Sequence, residues 1–311
     1  MLEDNLTLVI RSVHERTESL CRDLLLEQGV PERNIHVIHE TPFSKAMEVS
    51  YRIGLDEERP WTWCLDADVL LHGKAVEEMM SAAGRAPDHV FGLSGKLLDK
   101  LFGGWRAVGN HLFRTSSLEQ MISHIAEYET EGIRPESDAK SKLEANGLEW
   151  QKINLPIGLH DYEQHYTDIA RKSYVHARKH VIHLDELAER WIRNSAADAD
   201  YKAALIGLSR GLADFGKIKI DVEKYEDLRK EVIQTLGEKG TEPSDFQVGS
   251  CSDVQAVISS ETKDTGPAPV FQGKHEKIYK EAFNSRGYRD LFGDLKKRIK
   301  KELKEWLRGR K

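Results

Sequence analysis

The chain has 311 residues, 39% hydrophobic and 32% charged, with a formal net charge of −6. That composition is globular, long enough for one large α/β core or a core with an appendage, and no apolar run approaches the roughly 20 residues of a membrane-spanning helix. Three scattered cysteines, Cys21, Cys64 and Cys251, exclude a disulfide framework; MLEDNLTLVI lacks the basic and apolar regions of a signal peptide, so a reducing cytoplasm is expected.

The run LTLVI (residues 6–10) is short, apolar and β-branched, as in a buried parallel strand. A helix follows from an N-cap at Thr17 and stops at Gly29 before Pro31. Next come a strand in NIHVIHE, a helix opening at Ser44, a strand in WTWCLD and a helix in KAVEEMMSAAG. Strands in HVFGLSG and GNHLFRT, helices on 117–128 and 137–145, and a strand in QKINLPIGL complete this half. Strands alternating with helices predict a mainly parallel sheet covered on both faces, with ligands beyond the carboxyl ends of the strands.

After His160 only helical patterns remain, over 161–183, 184–214 and 222–236. Residues 237–273, rich in Gly, Ser, Thr and Pro, are expected to be a linker or flexible loop. The end is basic: from Arg286 to Lys311 eleven Lys and Arg face four Asp and Glu, a charge of +7 that leaves −13 elsewhere. Residues 274–311 are expected to carry a basic amphipathic helix, with Leu291, Leu295, Ile299, Leu303, Trp306 and Leu307 on one face. Such a helix suits an anionic membrane surface, here the inner face of the cell membrane, or packing on a protein. A basic stripe confined to one helix beside an acidic body argues against nucleic acid.

Within WTWCLDADVLLHG, Asp66 and Asp68 interrupt the most apolar stretch, where an ionised carboxylate is costly unless compensated. Three readings compete: two solvated acids at a strand end, the Asp-x-Asp of a phosphatase, and a divalent-cation site whose octahedron substrate phosphates complete. A cation best accounts for the burial. His176, His180 and His183 have a spacing that could hold zinc, or form a basic helix near a phosphate, or simply face solvent. Gly103, Gly104 and Trp105 offer a close backbone approach and an indole face for a sugar ring, or a plain loop. Asp161, Glu163 and Gln164 suit sugar hydroxyls, or a helix cap at Asp161.

The run SKAMEVSYRIGLDEERPWTWCLDADVLL resembles the segment of GT-A-fold glycosyltransferases, particularly family 2, in which a helix precedes the strand ending in Asp-x-Asp. LTLVIRSVHERTESLCRDLLLEQ is similar to the family's first strand and helix, GNHLFRTSSLEQM to its strand and helix near the donor sugar, and PESDAKSKLEANGLEWQKINLPIGLHD to its acidic helix and final strand ending in a metal-binding histidine. The resemblance covers about residues 5–165. It implies a GT-A, Rossmann-like α/β core over 1–165, followed by a helical region, 166–236, packing on it. It implies a metal-dependent transferase moving a sugar from a nucleotide-sugar, UDP-linked by default, to a hydroxyl of a lipid-linked or envelope glycan acceptor.

Carried over by position, Asp68 would bind Mn²⁺ or Mg²⁺ directly, Asp66 would bind ribose or reach the metal through water, and His160 would be the third protein ligand. Ser12 would face the nucleotide, Glu40 would lie near base or ribose, and Glu136 or Asp138 would be the catalytic base. The chain departs from the family at Arg11 and His14 and in HETPFSKA, so Arg11 or Lys45 would contact a phosphate. A sugar-phosphate nucleotidyltransferase is the alternative enzyme, though RSVHERTES lacks the glycines its loop needs. A non-catalytic, membrane-associated binding protein of the same fold is the alternative from outside enzymes.

Overall fold

The computed structural model describes residues 2–125, 135–179, 184–214, 225–242, 245–264 and 301. The chain divides into two compact units, Met1–Gln164 with Thr241–Gly266, and His165–Gly240 with Pro267–Lys311. In chain order the elements of the first half are α1 (Leu2–Asn5), β1 (Leu6–Arg11), α2 (Glu18–Glu27), β2 (Ile35–Ile38), α3 (Phe43–Glu57), β3 (Trp61–Asp66), β4 (Val69–Leu71) and α4 (Ala75–Gly84). They continue with β5 (Val90–Asp99), β6 (Gly104–Arg106), β7 (Asn110–Arg114), α5 (Leu118–Ile125), α6 (Pro135–Ala145) and β8 (Glu149–His160). Among the described residues the helices that follow are α7 (Tyr166–Lys179), α8 (Leu184–Asn194), α9 (Ala199–Gly211), α10 (Glu226–Leu236) and α11 (Cys251–Asp264).

The first unit is an α/β fold built on one mixed sheet with helices on both faces. Its sheet has the order β2-β1-β3-β7-β5-β8-β4, with β6 beside β5. β1 pairs in parallel with β2 and β3, and β5 in parallel with β8. β7, β4 and β6 run antiparallel to their neighbours. Alternation along each strand sorts the side chains between two layers. Leu8, Ile10, Trp63, Leu65 and Leu112 meet Leu25 of α2 and Met79 of α4. Val9, Cys64 and Phe113 meet Met47 and Tyr51 of α3, Met121 of α5 and Leu143 of α6. With both faces covered, all six residues of β1 are buried, Thr7 and Arg11 included, which is why the strand is mostly apolar without a polar face.

The register fixes what gathers at the carboxyl edge. Arg11 pairs with Asp66 across β1 and β3, Asp99 with His160 across β5 and β8, and Val69 with His160 across β4 and β8. The four strand ends thus bring Arg11, the Asp66–Asp68 turn, Asp99 and His160 to one place.

Several local expectations change. Thr17 precedes α2 but makes no capping bond; its Oγ1 donates to the Ala67 carbonyl at 2.8 Å, spending the hydroxyl on the turn between the two aspartates. β4 and β6 are three-residue strands, too short to show periodicity. The helical pattern from 161 begins only at Tyr166, because Asp161 and Glu163 take left-handed backbone angles, φ 62° and 56°. The pattern over 184–214 breaks where Asp198 caps α9, accepting from the Asp200 N–H at 2.8 Å. Of the stretch 237–273 expected to be a linker, residues Cys251–Asp264 form α11, which packs on the sheet unit, while 243–244 and 265–273 lie outside the described residues. Cys251, Val254 and Ile258 join Leu24, Leu70, Leu98 and Leu159 in one buried cluster, so residues 241–266 belong to the core. The basic segment 274–311 lies outside the described residues except for Lys301.

The second unit has its own core. Tyr174, Val175, Ile206, Leu228 and Val232 cluster among α7, α9 and α10, with Tyr174 and Tyr225 edge to face at 5.0 Å. A Cβ at Gly207 would lie 2.0 Å from the Ala170 carbonyl oxygen, so glycine lets α9 approach α7 this closely. Among the described residues no helix is long and apolar enough to cross a membrane.

Candidate functional site

The Asp-x-Asp turn is pinned on three sides. Asp66 N–H donates to the Gly109 carbonyl at 2.8 Å, Ala67 N–H to the Arg11 carbonyl at 3.0 Å, and Thr17 holds the Ala67 carbonyl. The turn sends its two carboxylates to different neighbours. Asp68, 3% exposed, lies with its Oδ1 3.7 Å from His160 Nε2. Asp66 is taken by Arg11, whose Nε and Nη2 stand 3.0 and 2.9 Å from Asp66 Oδ1.

Asp161 joins Asp68 and His160. One ligand atom from each of the three lies within 4.8 Å of the others, and all three residues are buried. Asp161 Oδ2 is 3.2 Å from His160 Nδ1, and its left-handed backbone is what turns it back toward the histidine. The next residues lock that turn. Glu163 takes Arg16 at 2.6 Å and the Gln247 N–H at 2.8 Å, and Gln164 donates to Thr17 Oγ1 at 3.0 Å.

His160 is oriented from behind by Asp99. The Asp99 Oδ2 lies 2.9 Å from His160 Nδ1 and accepts from Arg106 at 2.7 Å, while Oδ1 accepts the Phe102 N–H at 2.8 Å. Burial alone would raise the Asp99 carboxyl, but Arg106 and His160 hold it below the usual range. Burial would likewise lower His160, yet Asp161 and Asp68 push it well above an ordinary imidazole. Two acids and an imidazole, with a carboxylate behind the imidazole, form a hard-leaning donor set that fits Mn²⁺ or Mg²⁺. Gly109, at φ 61°, closes the rim: a Cβ there would meet Val69 at 3.1 Å, Asp66 Oδ2 at 3.3 Å and His160 at 3.4 Å.

Beside this cluster lies a second buried network, built on the α3/α6 face of the sheet. Arg11 Nη1 donates to Glu136 Oε1 at 3.0 Å, Tyr51 OH donates to the same oxygen at 3.1 Å, and His111 Nδ1 lies 2.7 Å from Glu136 Oε2. Lys140 sits one turn further along α6 with its Nζ 3.8 Å from the centre of the Trp150 ring. Burial would raise the Glu136 carboxyl, but Arg11, His111 and Lys140 outweigh it and hold it well below the usual range. Burial lowers His111 and overrides the pull of Glu136, which favours the neutral ring. Burial also brings the Lys140 ammonium down to about 8.

The remaining sequence candidates fall as follows. Asp138 is half-buried two residues beyond the fully engaged Glu136. Ser12 Oγ donates to Glu15 Oε2 at 2.9 Å and accepts the His14 N–H at 3.0 Å, so this hydroxyl shapes its own loop. Glu40 is half-buried just past β2, and Lys45 is exposed, 3.5 Å from Glu48. Trp105 lies in β6 opposite Leu98 and packs on the Leu70, Leu98 and Leu159 cluster, a position set by apolar contact. Of the three histidines spaced for zinc, His176 is on α7, whereas His180 and His183 lie outside the described residues.

Sequence reasoning passed over Asp99, Tyr51 and His111, and weighed Asp161 only for a sugar or a cap. Each acts through a partner distant in the chain, Asp99 through His160 and both Tyr51 and His111 through Glu136, or, for Asp161, through a backbone angle. The one local signal is Gly109 before Asn110, a glycine beside a strand that carries polar side chains.

No protein-family model and no curated protein matches the chain. Among solved structures it is similar to a glycosyltransferase involved in the glycosylation of the major capsid of PBCV-1, with a TM-score of 0.36 and 14% identity over 49% of this chain and 82% of that one. It is similar to A197 from STIV, with a TM-score of 0.36 and 11% identity over 50% of this chain and 83% of that one. It is also similar to the mannosyltransferase PcManGT from Pyrobaculum calidifontis, solved with GDP-Man and Mn²⁺, with a TM-score of 0.38 and 10% identity over 96% of this chain and 86% of that one. At these values the likenesses assign neither substrate nor metal to this chain, whose site chemistry is read from its own side chains.

Proposed function

We propose that the chain is a divalent-metal-dependent glycosyltransferase that moves a sugar from a nucleotide-sugar to a hydroxyl acceptor. The observation that carries this reading is the buried Asp68–His160–Asp161 cluster at the carboxyl edge of the sheet, with Asp99 behind the imidazole. Asp68, His160 and Asp161 would hold Mn²⁺ or Mg²⁺. When bound, such a cation neutralises a diphosphate and stabilises the charge that develops on it as the glycosidic bond breaks. Asp66, held by Arg11 and one-third exposed at its side chain, is left to meet the nucleotide ribose or metal-bound water.

Glu136 is a firmly held, weakly basic carboxylate, suited to orient a neighbour rather than to take a proton itself. His111, neutral and 2.7 Å from Glu136, has the carboxylate–imidazole arrangement of a general base. We assign the acceptor proton to this pair, and Arg11 to holding Glu136 and Asp66 in register. The acceptor class, a lipid-linked or envelope glycan, and the uridine base remain the expectations of the sequence.

The test is nucleoside diphosphate release and sugar transfer across a panel of nucleotide-sugars with Mn²⁺. The wild type is expected to turn over at least one donor, and Asp68→Ala and His160→Ala to abolish both reactions. His111→Ala is expected to slow transfer by about 10²- to 10⁴-fold, the usual range for a lost general base. Turnover that survives Asp68→Ala, or no release from any donor, overturns the enzyme reading; Asp138→Asn matching His111→Ala in its loss moves the base to Asp138.

A further inference from the structure

We propose that His14, Glu18 and His39 form a second metal site, a Zn²⁺ site, apart from the Asp68 cluster. The sheet register makes it. β1 and β2 are parallel neighbours with Arg11 opposite Ile38, and the Ser12 N–H donates to the Ile38 carbonyl at 2.9 Å. The residues just beyond that pair, His14 on one side and His39 on the other, therefore emerge together. α2 then begins at Glu18, whose Oε2 is 2.7 Å from His39 Nε2. The two imidazoles lie face to face with centroids 4.4 Å apart, and one ligand atom from each of the three residues falls within 4.8 Å of the others.

His14 is held toward the others by its own loop. Its N–H donates to Ser12 Oγ, and Glu15 Oε2 accepts from both Ser12 Oγ and the Val13 N–H. Its backbone is left-handed, φ 65°. Zinc–nitrogen bonds of about 2.0–2.1 Å in a tetrahedron need ligand atoms about 3.3 Å apart. The present spacing, within 4.8 Å, closes to that by rotation of the two rings, both of which belong to exposed residues.

Donor chemistry separates the two sites. Two imidazoles and one carboxylate favour Zn²⁺ over the harder Mg²⁺ and Mn²⁺, whereas Asp68, Asp161 and His160 offer oxygen in the majority. Three protein ligands leave a fourth position for water or an incoming ligand atom. A bound Zn²⁺ would tie the β1–α2 turn to the end of β2 and stiffen the edge of the sheet that carries Ser12.

The experiment is Zn²⁺ titration of the full-length chain by calorimetry, in an Asp68→Ala background so that the other cluster does not compete. Co²⁺ substitution, read by its visible absorption, reports tetrahedral geometry. The Asp68→Ala chain is expected to bind Zn²⁺ with a tetrahedral Co²⁺ spectrum. Adding His14→Ala or His39→Ala should weaken Zn²⁺ by at least about 100-fold, since even outer partners of a ligand cost 10- to 100-fold. Neither histidine substitution should change Mn²⁺ binding when Asp68 is intact. No Zn²⁺ binding by the Asp68→Ala chain, or affinity unchanged by both histidine substitutions in soluble, folded protein, overturns the proposal without touching the Mn²⁺ reading.

Discussion

Arg11 illustrates how one side chain can carry two acids. Its guanidinium, almost wholly buried, bridges Asp66 on β3 and Glu136 on α6, and removing one member of a buried pair leaves the other charge unpaired. Arg11→Met is therefore expected to cost about 3–5 kcal/mol in denaturant unfolding. The double variant with Glu136→Gln should recover at least about 1 kcal/mol of that, because the stranded charge is gone; strictly additive losses would mean the two residues are not coupled. Lys140 gives a pH signature. Its folded value of about 8 lies below the ordinary 10.5, so between those values the unfolded chain binds a proton that the folded chain does not. Stability contributed by this group therefore rises with pH across that window, and its cost is fully present below pH 8. The unfolding free energy of wild type relative to Lys140→Met is expected to improve by about 2 kcal/mol between pH 7.5 and 10.5, the full linkage value being discounted for partial exposure. A flat difference across that range would show that Lys140 keeps an ordinary affinity for its proton.

At the scale of elements, strand pairing decides whether Asp68 meets His160. Gly158 of β8 pairs with Leu71 of β4, and a Cβ at Gly158 would lie 2.2 Å from the Leu70 carbonyl oxygen. Gly158→Ala should push β4 off β8, cost about 1–3 kcal/mol as overpacking does, and weaken Mn²⁺ binding because Val69 and His160 lose register. Gly84→Ala, with nothing within 4 Å of the added carbon, is the control and should not reduce stability or metal affinity. The same pairing shows what was legible in the sequence. β1 and β3 are legible because each is a largely apolar run ending in a charged side chain, and β8 because apolar residues recur toward its buried end before His160. α11 was not: CSDVQAVISS spaces its apolar residues for a helix, but Ser, Gly and Thr around them read as loop, and only the waiting groove of Leu24, Leu70 and Leu159 makes it helical. The pairing of Arg11 with Asp66, and of Asp99 with His160, is a consequence of register between distant strands. A single sequence shows the charge of Arg11 without showing its carboxylate partners, Asp66 and Glu136.

For the whole molecule, the sheet unit is discontinuous in the chain: residues 2–164 build the sheet, and 241–266 return to complete one of its buried clusters. Val248, Cys251, Val254 and Ile258 are each at most 7% exposed, and a fully buried aliphatic side chain contributes roughly 1.5–3 kcal/mol, an upper value given compact denatured chains. A chain ending at Gly266 keeps those contacts, whereas one ending at Gly240 strips them and uncovers Leu70, Leu98 and Leu159, which lead directly into Asp68, Asp99 and His160. The first is expected to bind Mn²⁺ as the full chain does. The second is expected to lose at least about 3 kcal/mol of stability in the sheet unit and to bind Mn²⁺ more weakly, because β4, β5 and β8 lose the packing that holds their carboxyl ends together. Denaturant unfolding followed by tryptophan fluorescence, with Mn²⁺ titration alongside, measures both. Equal stability and equal affinity in the two truncations would mean that α11 covers the sheet without supporting it.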